Sequence, residues 1–215
     1  MDQPVRVPTA DEIGEFWTWF AGEVEASRAP LSHVSPSELS ARFKALNPDL
    51  VWELGPGRDC EHAFVISPGG RVELLPVSEQ VVGGAPRMEG WELHSAKPPK
   101  QWTERTLWLQ SAGSVETKVE CDRWRYALVS WNGHEFFDVT FIVPSDPPVD
   151  LGQLEHAAWQ LLDGEFGERL VMELFAEVKV VPERDWDPDE PCGQVPLMLE
   201  HVEALLAEPG RRIGP

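Results

Sequence analysis

Sulfur is scarce in this chain. Three cysteines, Cys60, Cys121 and Cys192, are spread through 215 residues and no two form a C-x-x-C pair; the odd count and wide spacing argue against a disulfide framework or a thiolate zinc site. Long apolar runs are missing as well. No stretch approaches the roughly 20 apolar residues of a bilayer-spanning helix, and MDQPVRVPTADE at the start has neither the basic nor the apolar region of an export signal. A soluble protein of the reducing cytosol is expected. Positive charge is the third shortage: 18 Lys and Arg stand against 37 Asp and Glu, a net charge of −19. Nucleic-acid phosphates and anionic membranes would be repelled at long range, so neither is expected as a partner.

What is present is a core. At 42% hydrophobic the chain can bury a sizeable interior, as one compact domain or as two α+β halves. The acidity is uneven: residues 51–143 carry 13 acidic and 9 basic side chains, whereas residues 144–209 carry 16 acidic and 3 basic. Most acidic surfaces serve solubility. One so concentrated also suits a basic docking partner.

Along the chain, Thr9 and Glu12 form a capping box, and Ile13, Phe16, Trp17, Phe20 and Val24 make an apolar stripe, predicting an amphipathic helix over 11–27. Ser35, Pro36 and Glu38 open a second helix, with Leu39, Phe43 and Leu46 inward. Short antiparallel strands are then expected at Leu50 to Leu54, Ala63 to Ser67 and Val72 to Leu75. A helix follows from about Ser78 to Gly83, then a strand from Trp91 to Ser95. Lys97-Pro98-Pro99-Lys100 reads as a stiff connector, dividing the chain into residues 1–96 and 97–215.

In the second half Asn132-Gly133 predicts a two-residue hairpin turn in which Trp131 faces His134, Leu128 faces Phe137 and Tyr126 faces Val139, with Arg125 diagonal to Asp138. Asp150 caps a third helix that buries Leu151, Leu154, Ala158, Leu161 and Leu162 before Gly164. A strand from Phe175 to Val181 should turn Ala176, Val178 and Val180 inward, and Pro196 should start a last helix with Met198, Leu199, Val202 and Leu205. Antiparallel strands with packed helices, and no β-α-β alternation of a doubly wound sheet, give an α+β fold class.

Four motifs together resemble an uncharacterised family of bacterial cytosolic proteins: Phe16-Trp17-x-Trp19-Phe20, Leu50-Val51-Trp52-Glu53-Leu54-Gly55-Pro56, Ala85-Pro86-x-x-x-Gly90-Trp91, and Leu161-Leu162-Asp163-x-x-x-Gly167-Glu168 leading to Val180-Val181-Pro182. The resemblance implies an α+β bacterial domain. It brings no activity and no catalytic residues.

The chemistry must therefore be read from the residues. Asp59-Cys60-Glu61-His62, after Gly55-Pro56-Gly57, places a thiol beside acids and an imidazole, and His94 can approach from another strand. A nucleophile of this kind needs a base and a cationic or helix-terminal field, whereas Cys60 is flanked by two acids. A polar loop covering a strand edge is the simpler reading. The six histidines show no H-x-x-x-H or H-x-H spacing, and Gly55-Pro56-Gly57-Arg58 and Gly83-Gly84 lack phosphate-loop patterns. Asp185-x-Asp187-x-Asp189 imitates the start of a calcium loop, but Glu190 stands where glycine is needed and Pro196 where glutamate is. No metal or cofactor is expected.

The favoured expectation is a non-enzymatic protein that binds a basic protein partner through Asp185, Trp186, Asp187, Asp189 and Glu190, in an immunity or antitoxin-like role. The alternative is a small hydrolase or metal-dependent enzyme with a site near Asp59 to His62, using Cys60, His62 and His94. Oligomeric state is not legible in the sequence.

Overall fold

The structure, a computed structural model, describes residues 5–25, 34–111 and 115–208. It divides into two compact units, residues 1–97 and 98–215, and the fold is α+β: mostly antiparallel sheets with helices packed on them.

The first unit runs α1 (Ala10–Glu25), α2 (Pro36–Leu46), β1 (Val51–Gly55), β2 (His62–Ser67), α3 (Leu75–Gly83) and β3 (Trp91–His94). The first capping box forms. Glu12 N–H donates to Thr9 Oγ1 at 3.3 Å and Thr9 N–H to Glu12 Oε2 at 2.8 Å, and the α1 stripe is buried; residues 26 and 27 of the expected helix lie outside the described residues. The second box does not form. Glu38 instead binds Arg42 one turn on at 3.0 Å, while Ser35 Oγ lies 3.0 Å from Ser37 Oγ.

The expected strand Val72 to Leu75 is instead a 3₁₀ turn, Val72–Leu74, that runs into α3. The reason is spacing: Leu74, Val77 and Val81, all buried, recur at i, i+3 and i+7, a helical period. This insertion makes β3 parallel to β2, whereas β1 pairs with β2 antiparallel. Phe64, on the central strand, packs among Phe16, Trp17, Phe20 and Phe43, with 4.7 Å between the Phe20 and Phe64 ring centres. Each such burial contributes about 1.5–3 kcal/mol. Trp17 Nε1 donates to Val81 O at 2.7 Å, tying α1 to α3. A Cβ on Gly84 would lie 2.5 Å from Ile13 Cγ2, so Gly84 serves close packing, whereas a Cβ on Gly83 would meet open space.

The second unit begins with the hairpin β4 (Thr106–Ser111) and β5 (Val115–Glu120), then β6 (Arg125–Trp131), β7 (Phe136–Val143), α4 (Leu151–Phe166), α5 (Glu168–Leu174), β8 (Phe175–Pro182), β9 (Gly193–Gln194) and α6 (Met198–Leu206). Its larger sheet has the order β8-β7-β6-β9, again with one parallel pair, β7 with β8. The Asn132-Gly133 loop holds four residues rather than two. It is closed by Glu135 N–H on Trp131 O at 3.0 Å, with φ of 54°, 70° and 68° at Asn132, Gly133 and His134. This longer loop lets Trp131 pair with Phe136 and the His134 ring stack on Phe137. The register moves by two, so the buried face survives, with Tyr126 opposite Phe141 and Leu128 opposite Val139.

A bulge in β8 corrects the expected alternation there. Phe137 pairs with Phe175 but Asp138 with Glu177, leaving Ala176 unpaired and exposed. The extra residue brings Phe175 onto the same face as Val178 and Val180. Asp150 caps α4 through Gln153 N–H at 2.9 Å. Leu151 is exposed rather than inward, and the helix passes Gly164 to end at Gly167. Gly164 belongs inside because its bare face receives Trp102: a Cβ there would lie 2.1 Å from Trp102 Cζ2. The last helix starts at Met198 and buries Met198 and Val202, while Leu199 is exposed. Beside this core lies a buried carboxylate, Glu165, held by Arg105 Nε at 2.7 Å and Nη2 at 3.2 Å; Arg105 Nη1 also reaches Asp122 Oδ1 at 3.3 Å.

Candidate functional site

In the first unit, the chain leaves β1 at Gly55 and returns as β2 at His62. Gly57 N–H donates to Glu61 O at 3.4 Å and His62 N–H to Gly90 O at 3.0 Å. Glu92 of β3 organises the turn between these anchors. Its Oε1 accepts the backbone N–H groups of Asp59 and Cys60, the latter at 2.6 Å, with Arg58 N–H also directed at the carboxylate. Three successive amides thus form a cradle for one anion. They hold the Glu92 carboxyl down at about 2, with the hydrogen bond to His94 a smaller cause. Gly57 is required here. A Cβ would sit 2.6 Å from Cys60 O and 2.8 Å from Glu92 Oε1.

This use of the backbone turns the side chains of Asp59, Cys60 and Glu61 outward, where all three are exposed. His62 packs its ring on Trp91, 5.0 Å between centres, with Nε2 3.8 Å from Glu61 Oε1 and Nδ1 buried without a hydrogen-bond partner. His94 Nε2 lies 3.1 Å from Glu92 Oε2. In the parallel register His62 is level with Trp91, and His94 is three residues further along β3. Alternation therefore puts the two histidines on opposite faces of the sheet. Among the described residues no hydrogen bond joins Cys60 Sγ to either imidazole, and no three His, Cys, Asp or Glu side chains come together as a metal-ligand set. The one residue that organises the loop, Glu92, was not among the expected site residues. Its signal was a lone acid in the apolar strand Trp91-Glu92-Leu93.

The second candidate, in the other unit, is the loop from Glu183 to Cys192. Arg125 of β6 fastens both of its ends, donating from Nη2 to Glu183 Oε1 at 2.7 Å and from Nη1 to Cys192 Sγ at 3.4 Å. The expected Arg125–Asp138 pair is therefore absent, and Asp138 accepts from Trp131 Nε1 at 2.7 Å instead. Within the loop Trp186 N–H donates to Glu183 O at 3.3 Å, Asp189 N–H to Asp187 Oδ1 at 3.0 Å and Glu190 N–H to Asp187 O at 3.1 Å. Prolines 188 and 191 stiffen it further. Trp186 is half-buried, which anchors the middle.

The carboxylates then face outward. Asp185, Asp187, Asp189 and Glu190 are all exposed. Asp185 has Arg184 Nε at 3.8 Å, whereas no cation among the described residues pairs with Asp187, Asp189 or Glu190. An ordered loop with unneutralised negative charge attracts cations and presents them no chemistry beyond charge and hydrogen-bond acceptance. No helix among the described residues is long and apolar enough to cross a membrane. Comparison with protein-family models, curated proteins and solved structures finds no match to the chain.

Proposed function

We propose that this is a non-enzymatic bacterial protein that acts by binding a basic protein partner through the loop Asp185 to Glu190. Immunity against, or neutralisation of, a cationic effector is the concrete form we favour. One observation carries the reading: three exposed carboxylates, Asp187, Asp189 and Glu190, have no cation partner among the described residues and stand on a loop whose two ends are fastened by Arg125. Preorganisation of this kind lowers the ordering cost of association, and charge of one sign raises the encounter rate. The excess of acid over base in residues 144–209 extends the same field.

The competing reading, a small hydrolase or metal-dependent enzyme built on Asp59 to His62, has less behind it. Among the described residues no base is hydrogen-bonded to Cys60, and the acid that reaches the loop, Glu92, is engaged with backbone amides. The test of the binding reading is capture of partners from the native host at low and high salt. The wild-type protein should retain a basic protein that salt releases, and Asp185→Asn with Asp187→Asn and Asp189→Asn should lose it. Equal capture by wild type and triple variant would remove the loop from the account.

A further inference from the structure

A different surface of the second unit, remote in chemistry from the acidic loop, forms an open groove of about 450 Å³ between β4 and α4. That volume is within the range of small-ligand sites. Its wall on β4 is Trp108, 61% exposed, with Gln110 two residues on along the same face. Its wall on α4 is Gly152, Gln153, His156 and Gln160, which share one side of the helix at steps of one, three and four. Gln160 Nε2 donates to His156 Nε2 at 2.8 Å, and Gln153 Nε2 to Gln110 O at 3.5 Å, so the carboxamides are set in place before any ligand arrives. Gly152 leaves the helix N-terminal end of the groove open, since a Cβ there would meet only Asp150 Oδ1, at 3.4 Å.

The composition selects among ligands. In a chain of net charge −19 no charged side chain lines this groove. A nucleotide would find an indole to stack on, but the cation beside it, Lys118 opposite Trp108 on β5, is already paired with Glu120 at 3.0 Å, and an acyl chain would find an open trough interrupted by carboxamides instead of an enclosed apolar one. An exposed indole face flanked by carboxamides and an imidazole matches a pyranose: the ring's C–H face packs on the aromatic plane while amide N–H and C=O groups bond the hydroxyls. We propose that the Trp108 groove binds a neutral carbohydrate, with Trp108 as the stacking platform and Gln153, His156 and Gln160 as hydroxyl partners. This site does not depend on the acidic loop.

The experiment is a titration of the full chain, followed by ¹H–¹⁵N spectra, with maltotriose, cellotriose and N,N′,N″-triacetylchitotriose, each to millimolar concentration, and with AMP as a counter-probe. The expected result is saturable movement of the Trp108 indole and of the amides of residues 152–160 with at least one saccharide. Trp108→Ala should weaken it at least roughly tenfold and Gln160→Leu by less, while Trp131→Ala, in the β6–β7 hairpin and not part of the groove lining, leaves it unchanged. Trp108 is too exposed for its removal to unfold the unit, so a null result in that variant reports on the groove. No movement with any of the three saccharides, movement that survives Trp108→Ala, or preference for AMP would each overturn the proposal.

Discussion

Two acidic loops use their surroundings in opposite ways. Between β1 and β2 the chain wraps its backbone amides around the Glu92 carboxylate of β3, so that one charge is held internally while the loop's own Asp59 and Glu61 stay exposed. Between β8 and β9 the guanidinium of Arg125 is spent on the loop's ends and that of Arg184 lies beside Asp185, while Asp187, Asp189 and Glu190 are exposed and pair with no cation among the described residues. The buried Glu165, with Arg105 across it, belongs with the first kind. Carboxylates turned inward report on stability, whereas those turned outward report on recognition, and this division can be broken experimentally.

The largest effect is expected at a buried acid, Glu165. Arg105→Met leaves Glu165 without its cation at 1% side-chain exposure and should cost about 3–5 kcal/mol in chemical denaturation, because an uncompensated charge stays behind. Paired replacement, Arg105→Met with Glu165→Met, should recover much of that loss.

Glu92→Gln comes next. It replaces an ionised acceptor of backbone amides by a neutral one and should speed hydrogen exchange at Asp59 and Cys60. The pH dependence has a definite sign. A carboxyl held at about 2 in the folded protein and near 4.3 when unfolded lends stability that is fully present above about pH 4.3 and lost as pH falls towards 2. The variant should lack this part of the acid sensitivity and behave like wild type at neutral pH slopes.

A smaller signal comes from thiols. Cys121 is wholly buried and desolvation, with Asp122 and Glu165 near it, pushes its thiol up to about 12; it should stay unlabelled in the native protein. Cys60 and Cys192 are exposed and should both react, Cys60 no faster than Cys192, which has Arg125 Nη1 3.4 Å from its sulfur. Selective hyper-reactivity of Cys60 would restore the enzymatic reading. The smallest stability effect, within about 0.5 kcal/mol, is expected for Asp185→Asn with Asp187→Asn and Asp189→Asn, the same changes that should abolish partner capture.

The α+β class and most helices were legible because local signals agreed with packing: the Thr9–Glu12 box, the Asp150 cap, and the stripes of α1 and α4. What the sequence concealed were features that depend on residues far apart. The parallel placement of β3 rests on reading Leu74 to Val81 as helical, and the β8 bulge on the need to face Phe175 inward beside Val178. The β4–β5 hairpin had a weak cue in the alternation of Leu107, Trp108 and Leu109. Glu165 could have been suspected, since it falls one turn beyond Leu161 on the buried stripe. Nothing local announces that Glu92 will organise a loop more than thirty positions earlier, or that Arg125 will close one nearly sixty positions later; only the strand pairings bring these groups together.

The central claim is that the loop between β8 and β9 recognises a basic partner while the loop between β1 and β2 does not. It is tested most directly by measuring the salt dependence of binding to the partner captured from the host, for wild type, the Asp185/Asp187/Asp189→Asn variant and Glu92→Gln side by side. The account predicts that affinity falls steeply with salt for wild type and Glu92→Gln alike, and that the triple variant binds weakly at every salt concentration. Salt-independent binding, or a triple variant that binds as wild type does while Glu92→Gln loses affinity, would contradict it.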